Sequence, residues 1–186
     1  MAFKILGISG SLRSASSNTA LLRACATIAP ANIEFSIYDG LDKLPYFSPE
    51  LDTAQSSAPL TVADLRQHVQ AADAVIFSTP EYAFGIPGVL KNALDWLVSS
   101  GDFTHKPTAV ISASPLATGG EKAHASLVQT LTVMTADIRE EYKLIIPVVR
   151  TKINAEGTLT DAVLEKTLLT LITELATSKN ASEDQY

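Results

Sequence analysis

Three apolar runs, at residues 3–8, 74–77 and 108–111, each break into a loop of small and turn-forming residues that opens an amphipathic segment of helical period. Apolar runs of this length with little polar alternation are strands covered on both faces. Strand, loop and helix repeated along one chain is the parallel βαβ arrangement, whose crossovers place helices on both sides of a single sheet. Few architectures accept that pattern.

The remaining segments set the strand order. Residues 33–38 alternate apolar and polar, as a strand at an edge or with one covered face does. The fifth candidate, at 144–149, contains Pro147, which cannot donate to a ladder and belongs at a sheet edge. With the second and fifth strands outermost, the order becomes 2-1-3-4-5. The expected fold is α/β: a flavodoxin-like three-layer sandwich around a five-stranded parallel sheet. A chain of 186 residues with 46% hydrophobic side chains is most economically one domain. That domain is expected to span 1–178, with 179–186 as a frayed C-terminal tail.

Helical register predicts a helix from Asn18, as its N-cap, to Pro30, and a second over 61–71. A third begins at Val89, with Leu90, Ala93, Leu94, Trp96 and Leu97 on its inner face. The fourth follows Gly120 and turns Ala123, Leu127, Leu131 and Met134 inward. Thr160 and Asp161 cap the last, which buries Leu164, Leu168, Leu171, Ile172 and Leu175. Residues 41–59 hold Pro45, Pro49 and Pro59 without periodicity and read as a long loop. Its apolar anchors, Tyr46 and Phe47, serve either its own domain or a partner.

The small-residue loops all follow the three central strands, so they converge where open α/β sheets bind ligands, at the carboxyl ends of the strands near the switch point. The first loop, Ser9-Gly10-Ser11-Leu12-Arg13-Ser14-Ala15-Ser16-Ser17-Asn18-Thr19, combines hydroxyls, a glycine, one guanidinium and a helix N-terminus. Those are the parts of a phosphate cradle, and also of an ordinary serine-rich turn. The second, from Thr79 through Pro80, Glu81, Tyr82, Ala83 and Phe84, ends at Pro87 and Gly88. Glu81 offers either a functional carboxylate or only its backbone. The third runs from Ser112 and Ser114 to Gly119 and Gly120. The dinucleotide fingerprint G-x-G-x-x-G is absent from the first loop, which ranks a dinucleotide Rossmann site below a mononucleotide one.

Several function classes fall away on bulk properties. A net charge of −6 argues against a general affinity for nucleic acid or an anionic membrane surface. Cys25 is the sole cysteine, which removes intrachain disulfides and Cys-rich metal sites and leaves it as a small core residue. His68, His105 and His124 share no metal-ligand spacing and read as solvated or capping groups, so no metal site is expected. The N-terminus carries neither a leader pattern nor a membrane-length apolar run, and a cytoplasmic location is expected.

Two motifs make the sequence resemble the NADPH-dependent FMN reductase family, which includes bacterial quinone and chromate reductases. One is Gly10-Ser11-Leu12-Arg13 with Ser16 and Asn18. The other is Pro80-Glu81-Tyr82 followed by Ile86-Pro87-Gly88-Val89-Leu90-Lys91-Asn92-Ala93-Leu94-Asp95-Trp96, with a weaker third match at Ser114 and Gly119-Gly120. The resemblance implies that Ser11, Arg13, Ser16 and Asn18 surround the FMN phosphate. It places Glu81, Tyr82, Ala83 and Phe84 along the isoalloxazine, with Ser114 on the third loop. It further implies NADPH or NADH as electron donor and a small-molecule acceptor, such as a quinone, chromate or an azo compound. No catalytic group is implied beyond the flavin itself, and the chain would assemble as a homodimer or homotetramer. The family often has asparagine at Ala83 and arginine at Lys122. Rival readings are a non-enzymatic flavoprotein, as carrier or redox sensor, and a reductase that supplies free reduced FMN to a monooxygenase.

Overall fold

A computed structural model describes residues 2–53, 58–154 and 157–183. The strands are β1 (Phe3–Ser9), β2 (Ile33–Tyr38), β3 (Ala74–Thr79), β4 (Thr108–Ala113) and β5 (Lys143–Ile146). Five helices alternate with them: α1 (Ser17–Ile28), α2 (Leu60–Ala71), α3 (Gly88–Leu97), α4 (Glu121–Val133) and α5 (Ala162–Glu183). The strands form one sheet in the order β2-β1-β3-β4-β5, and every pairing is parallel.

Alternate residues of the central strands feed two separate cores, which is what makes three layers. Ile5, Ala74, Ile76, Ala109 and Ile111 face α1 and α5, packing on Leu21, Leu22, Leu168 and Ile172. Leu6, Ile8, Val75, Phe77 and Val110 point the other way, against Leu65 and Val69 of α2, Leu90 and Leu94 of α3, and Leu127 and Leu131 of α4. β3 and β4 are buried at every position, as their unbroken apolar texture requires. Trp96 is also fully buried, and its Nε1–H donates to the Pro45 carbonyl at 2.9 Å.

Several local expectations are corrected. Ser16, rather than Asn18, is the N-cap of α1, because its hydroxyl accepts from the Thr19 amide at 3.3 Å. Asn18 lies inside the first turn, where its side chain is free to reach the sheet. β5 stops at Ile146, so Pro147 ends that edge strand instead of sitting within it. In the 41–59 loop Phe47 is the anchor, edge-on to Trp96 at 5.1 Å, whereas Tyr46 is 92% exposed. Arg66 fastens the same loop by donating to Asp52 Oδ1 at 2.8 Å. His124 is buried, with Nε2 3.2 Å from the Val110 carbonyl, and is neither solvated nor a cap. The backbone of α5 stays helical to Glu183; residues 184–186 of the expected tail lie outside the described residues.

Candidate functional site

Parallel register brings the carboxyl ends of the central strands level, with Ser9 opposite Ser78 and Thr79 opposite Ser112. The chain turns there through Gly10, whose amide donates to the Ser78 carbonyl at 2.8 Å. A Cβ at Gly10 would lie 2.7 Å from Thr79 Oγ1, so only glycine lets loop and strand approach this closely. The Ser11 amide donates to Ser9 Oγ at 3.3 Å, and Ser11 Oγ accepts from the Arg13 amide at 3.4 Å. These bonds curl the loop over the start of α1.

Asn18 ties the loops together. Its Oδ1 accepts from Ser78 Oγ at 2.9 Å and its Nδ2 donates to the Ala113 carbonyl at 3.1 Å, so one buried side chain joins α1 to the ends of β3 and β4. A buried amide satisfied on both sides fixes geometry more firmly than exposed contacts do.

The loop after β3 is a two-residue hairpin. Tyr82 and Gly85 exchange both backbone hydrogen bonds at 3.0 Å, and the central residues, Ala83 and Phe84, have φ of 50° and 61°. Two successive positive φ values match the turn that follows the twist of its flanking strands. Glu81 points back toward α4, where its Oε2 accepts from the Lys122 amide at 2.8 Å and the Ala123 amide at 3.0 Å. Gly120, the N-cap of that helix, has φ of 86° and no side chain to cap with, so Glu81 supplies the carboxylate that the helix end favours. On the third loop the Ser114 amide donates to the Ile146 carbonyl at 3.2 Å, and Ser114 Oγ accepts from the Leu116 amide at 3.1 Å.

Between these loops lies a cavity of about 240 Å³. Ser11, Arg13, Ser16, Asn18, Pro80, Glu81, Tyr82 and Ser114, all singled out by sequence, line it. Gly10, Leu12, Ala83 and Phe84 do not. Gly10 underlies the loop, Leu12 opens on a neighbouring hollow with Tyr38 and Leu41, and Ala83 and Phe84 form the exposed hairpin tip. Sequence reasoning missed Ala113, Val149 and Arg150 on the same wall. The signal for Arg150 was its place just beyond a fifth parallel strand, whose carboxyl end must share this rim.

The cavity suits a phosphate at one end. The first-turn amides of Ser17 and Asn18 and the Arg13 guanidinium bond no acceptor among the described residues, and helix N-termini with such groups bind anions. Ser112 Oγ is buried without a hydrogen-bond partner beneath Glu81 and Gly120. Cys25 supplies no nucleophile, since burial pushes its thiol up to about 12. Among the described residues no group of three or more His, Cys, Asp or Glu side chains could hold a metal ion, and no helix is long and apolar enough to cross a membrane.

A parallel 2-1-3-4-5 sheet with an anion-receptive loop after β1 and a slot between the loops of β3 and β4 defines a flavodoxin-like, mononucleotide-binding α/β protein. The sequence model of the NADPH-dependent FMN reductases matches residues 3–147, and the chain belongs to that family. It is 34% identical to an NAD(P)H-dependent FMN reductase of Pseudomonas aeruginosa, over 85% of each chain. A 2-hydroxy-1,4-benzoquinone reductase of Burkholderia is 32% identical over 95% of this chain and 96% of its own length. Among solved structures, the flavoenzyme NAD(P)H:acceptor oxidoreductase FerB of Paracoccus denitrificans superimposes with a TM-score of 0.82 at 28% identity, covering 94% of this chain and 96% of FerB. The protein is an FMN-dependent NAD(P)H oxidoreductase.

Proposed function

We propose that the protein passes two electrons from NADPH or NADH, by way of FMN at the carboxyl edge of β1 and β3, to a quinone or a similar small acceptor. The observation that carries this reading is the slot between the first three loops, anion-receptive at α1 and walled by backbone and Tyr82 at its other end. Ser11, Arg13, Ser16 and the amides at Ser17 and Asn18 hold the FMN phosphate. Pro80, Glu81, Tyr82, Ala83 and Phe84 lie along the ring system, with Gly10 and Leu12 shaping the loop and Ser114 closing the third side. Glu81 takes part through its main chain, because its carboxylate is engaged by α4. The Tyr82 amide is likewise committed, to the Gly85 carbonyl, which leaves the amides of Ala83 and Phe84 as the hairpin's donors. Bound FMN supplies the hydride chemistry, and this chain's residues supply position and a fixed polar environment.

Tyr82 and Leu116 line the slot and are exposed, and Leu12 and Phe84, on the same two loops as Arg13 and Tyr82, are exposed as well. That apolar rim supports a homodimer or homotetramer in which a second copy narrows access, a state read by sedimentation. The single buried cysteine and the nicotinamide donor fit work in the cytoplasm.

The deciding experiment follows the visible spectrum of FMN-loaded protein during anaerobic NADPH addition and then quinone addition. Bleaching by NADPH and full return with quinone is the expected result. A bound flavin that NADPH leaves oxidised would favour a carrier or sensor. The phosphate assignment has its own check: Arg13→Ala is expected to weaken FMN binding by roughly 1.5–3 kcal/mol, the worth of a hydrogen bond from a charged group, as read by flavin fluorescence titration.

A further inference from the structure

The five arginines of the sequence divide by their partners. Arg66 pairs with Asp52 and Arg139 with Asp137, and none of the four lines the flavin slot. Arg13, Arg23 and Arg150 pair with no carboxylate among the described residues, although the chain carries a net charge of −6. All three line one hollow of about 440 Å³ that adjoins the flavin slot behind Ser16 and Ser17. No carboxylate among the described residues lines that hollow. Asp39 and Asp42 border a separate hollow beside Arg13 and Arg23 and reach neither in an ion pair.

Three guanidiniums around one concavity, paired with no carboxylate among the described residues, repel one another, and a polyanionic ligand relieves that repulsion. Planar forks of this kind suit phosphate oxygens. In the flavin slot the Ser11 and Ser16 hydroxyls and the α1 amides suffice, with Arg13, for one phosphate, which leaves Arg23 and Arg150 for another. Arg23 lies outside that slot altogether, two turns along α1 from Ser16, while Arg13 and Arg150 border both concavities. The arrangement therefore provides for a second phosphate next to the first.

Resting on the proposed function, we infer that Arg23 and Arg150 form a subsite for the 2′-phosphate of the donor nucleotide, so that they set a preference for NADPH over NADH. A phosphate monoester carries close to two negative charges at neutral pH. NADH lacks that group, so the hollow would discriminate by charge as well as by shape. The other phosphates available to the cluster are the donor's 5′-phosphates and the phosphate of FMN, and the test separates them.

The test titrates FMN-loaded protein calorimetrically with 2′,5′-ADP and with 5′-AMP, which differ only in the 2′-phosphate. The unaltered protein is expected to bind 2′,5′-ADP at least about tenfold more tightly, a modest demand for charge-assisted hydrogen bonds. Arg23→Gln and Arg150→Gln are each expected to shrink that ratio toward unity, with melting temperatures confirming intact folds. Equal binding of the two probes by the unaltered protein overturns the inference. So does a ratio that survives both substitutions. Parallel weakening of both probes would assign the cluster to a 5′-phosphate, and a matching loss of FMN affinity would assign it to the flavin; either result also overturns it. Failure of the proposed function is read elsewhere, in a flavin that NADPH does not bleach, and does not depend on the probe ratio.

Discussion

Ala83 occupies a backbone conformation that a residue with a Cβ adopts at a cost of about 1–2 kcal/mol. Its φ of 50° is followed by 61° at Phe84, so the hairpin tip contains neither asparagine nor glycine at the two positions that favour them. Ala83→Asn is expected to raise stability by about 0.5–1 kcal/mol in urea unfolding, because asparagine tolerates the left-handed region. No gain would mean that the tip relaxes in solution. The same residues show where sequence reading stopped. Without Asn-Gly or a similar pair, nothing in the loop announced a hairpin, and it was legible only as a ligand-side turn. Asn18 was misread for a related reason: asparagine and serine are both good N-caps, and local chemistry cannot choose between Ser16 and Asn18 without the sheet edge overhead.

At the level of elements, α4 begins without a capping side chain of its own, and the carboxylate of Glu81, remote in sequence, does that work. Glu81→Ala is expected to cost about 1–2 kcal/mol, the usual worth of a lost cap with orphaned amides. Hydrogen exchange at Lys122 and Ala123 should quicken in that variant, whereas Glu81→Gln keeps an acceptor and loses mainly the charge–dipole part. Strand order, by contrast, was fully readable. Buried texture in β1, β3 and β4, alternation in β2 and Pro147 beside β5 each report local burial, and burial determines place in a parallel sheet. Side-chain pairing between distant loops leaves no such periodic trace, which is why the capping role of Glu81 emerged only from the structure.

For the whole molecule, stability depends on pH through His124, held between α4 and β4. Burial lowers its pKa from the ordinary 6.5; the bond to the Val110 carbonyl opposes that shift, while Lys143 adds to it and Glu140 resists it. Because the carbonyl can only accept, Nε2 carries the hydrogen of the neutral ring. The unfolded chain therefore binds this proton more readily than the folded one. The contribution of His124 is complete above about pH 6.5 and is lost as pH falls through the folded value. Unfolding midpoints measured from pH 8 to pH 5 should show that decline, and His124→Gln should remove it. A second decline belongs nearer pH 4. Asp161, with the Leu164 amide and Lys152 on its carboxylate, is held below the usual range, and so is Asp52, where the upward push of burial is outweighed by hydrogen bonds from Ser99 and Arg66.

The Asn18 bridge across Ser78 and Ala113 is made entirely by the protein. The loops around the slot are thus spaced before any ligand arrives, and cofactor uptake becomes a matter of encounter rather than rearrangement. Stopped-flow mixing of the flavin-free chain with excess FMN should give an observed rate that climbs in proportion to flavin concentration, without the plateau of a slow isomerisation. A molecule built this way can be emptied and refilled with altered flavins, leaving its fold indifferent to what it carries.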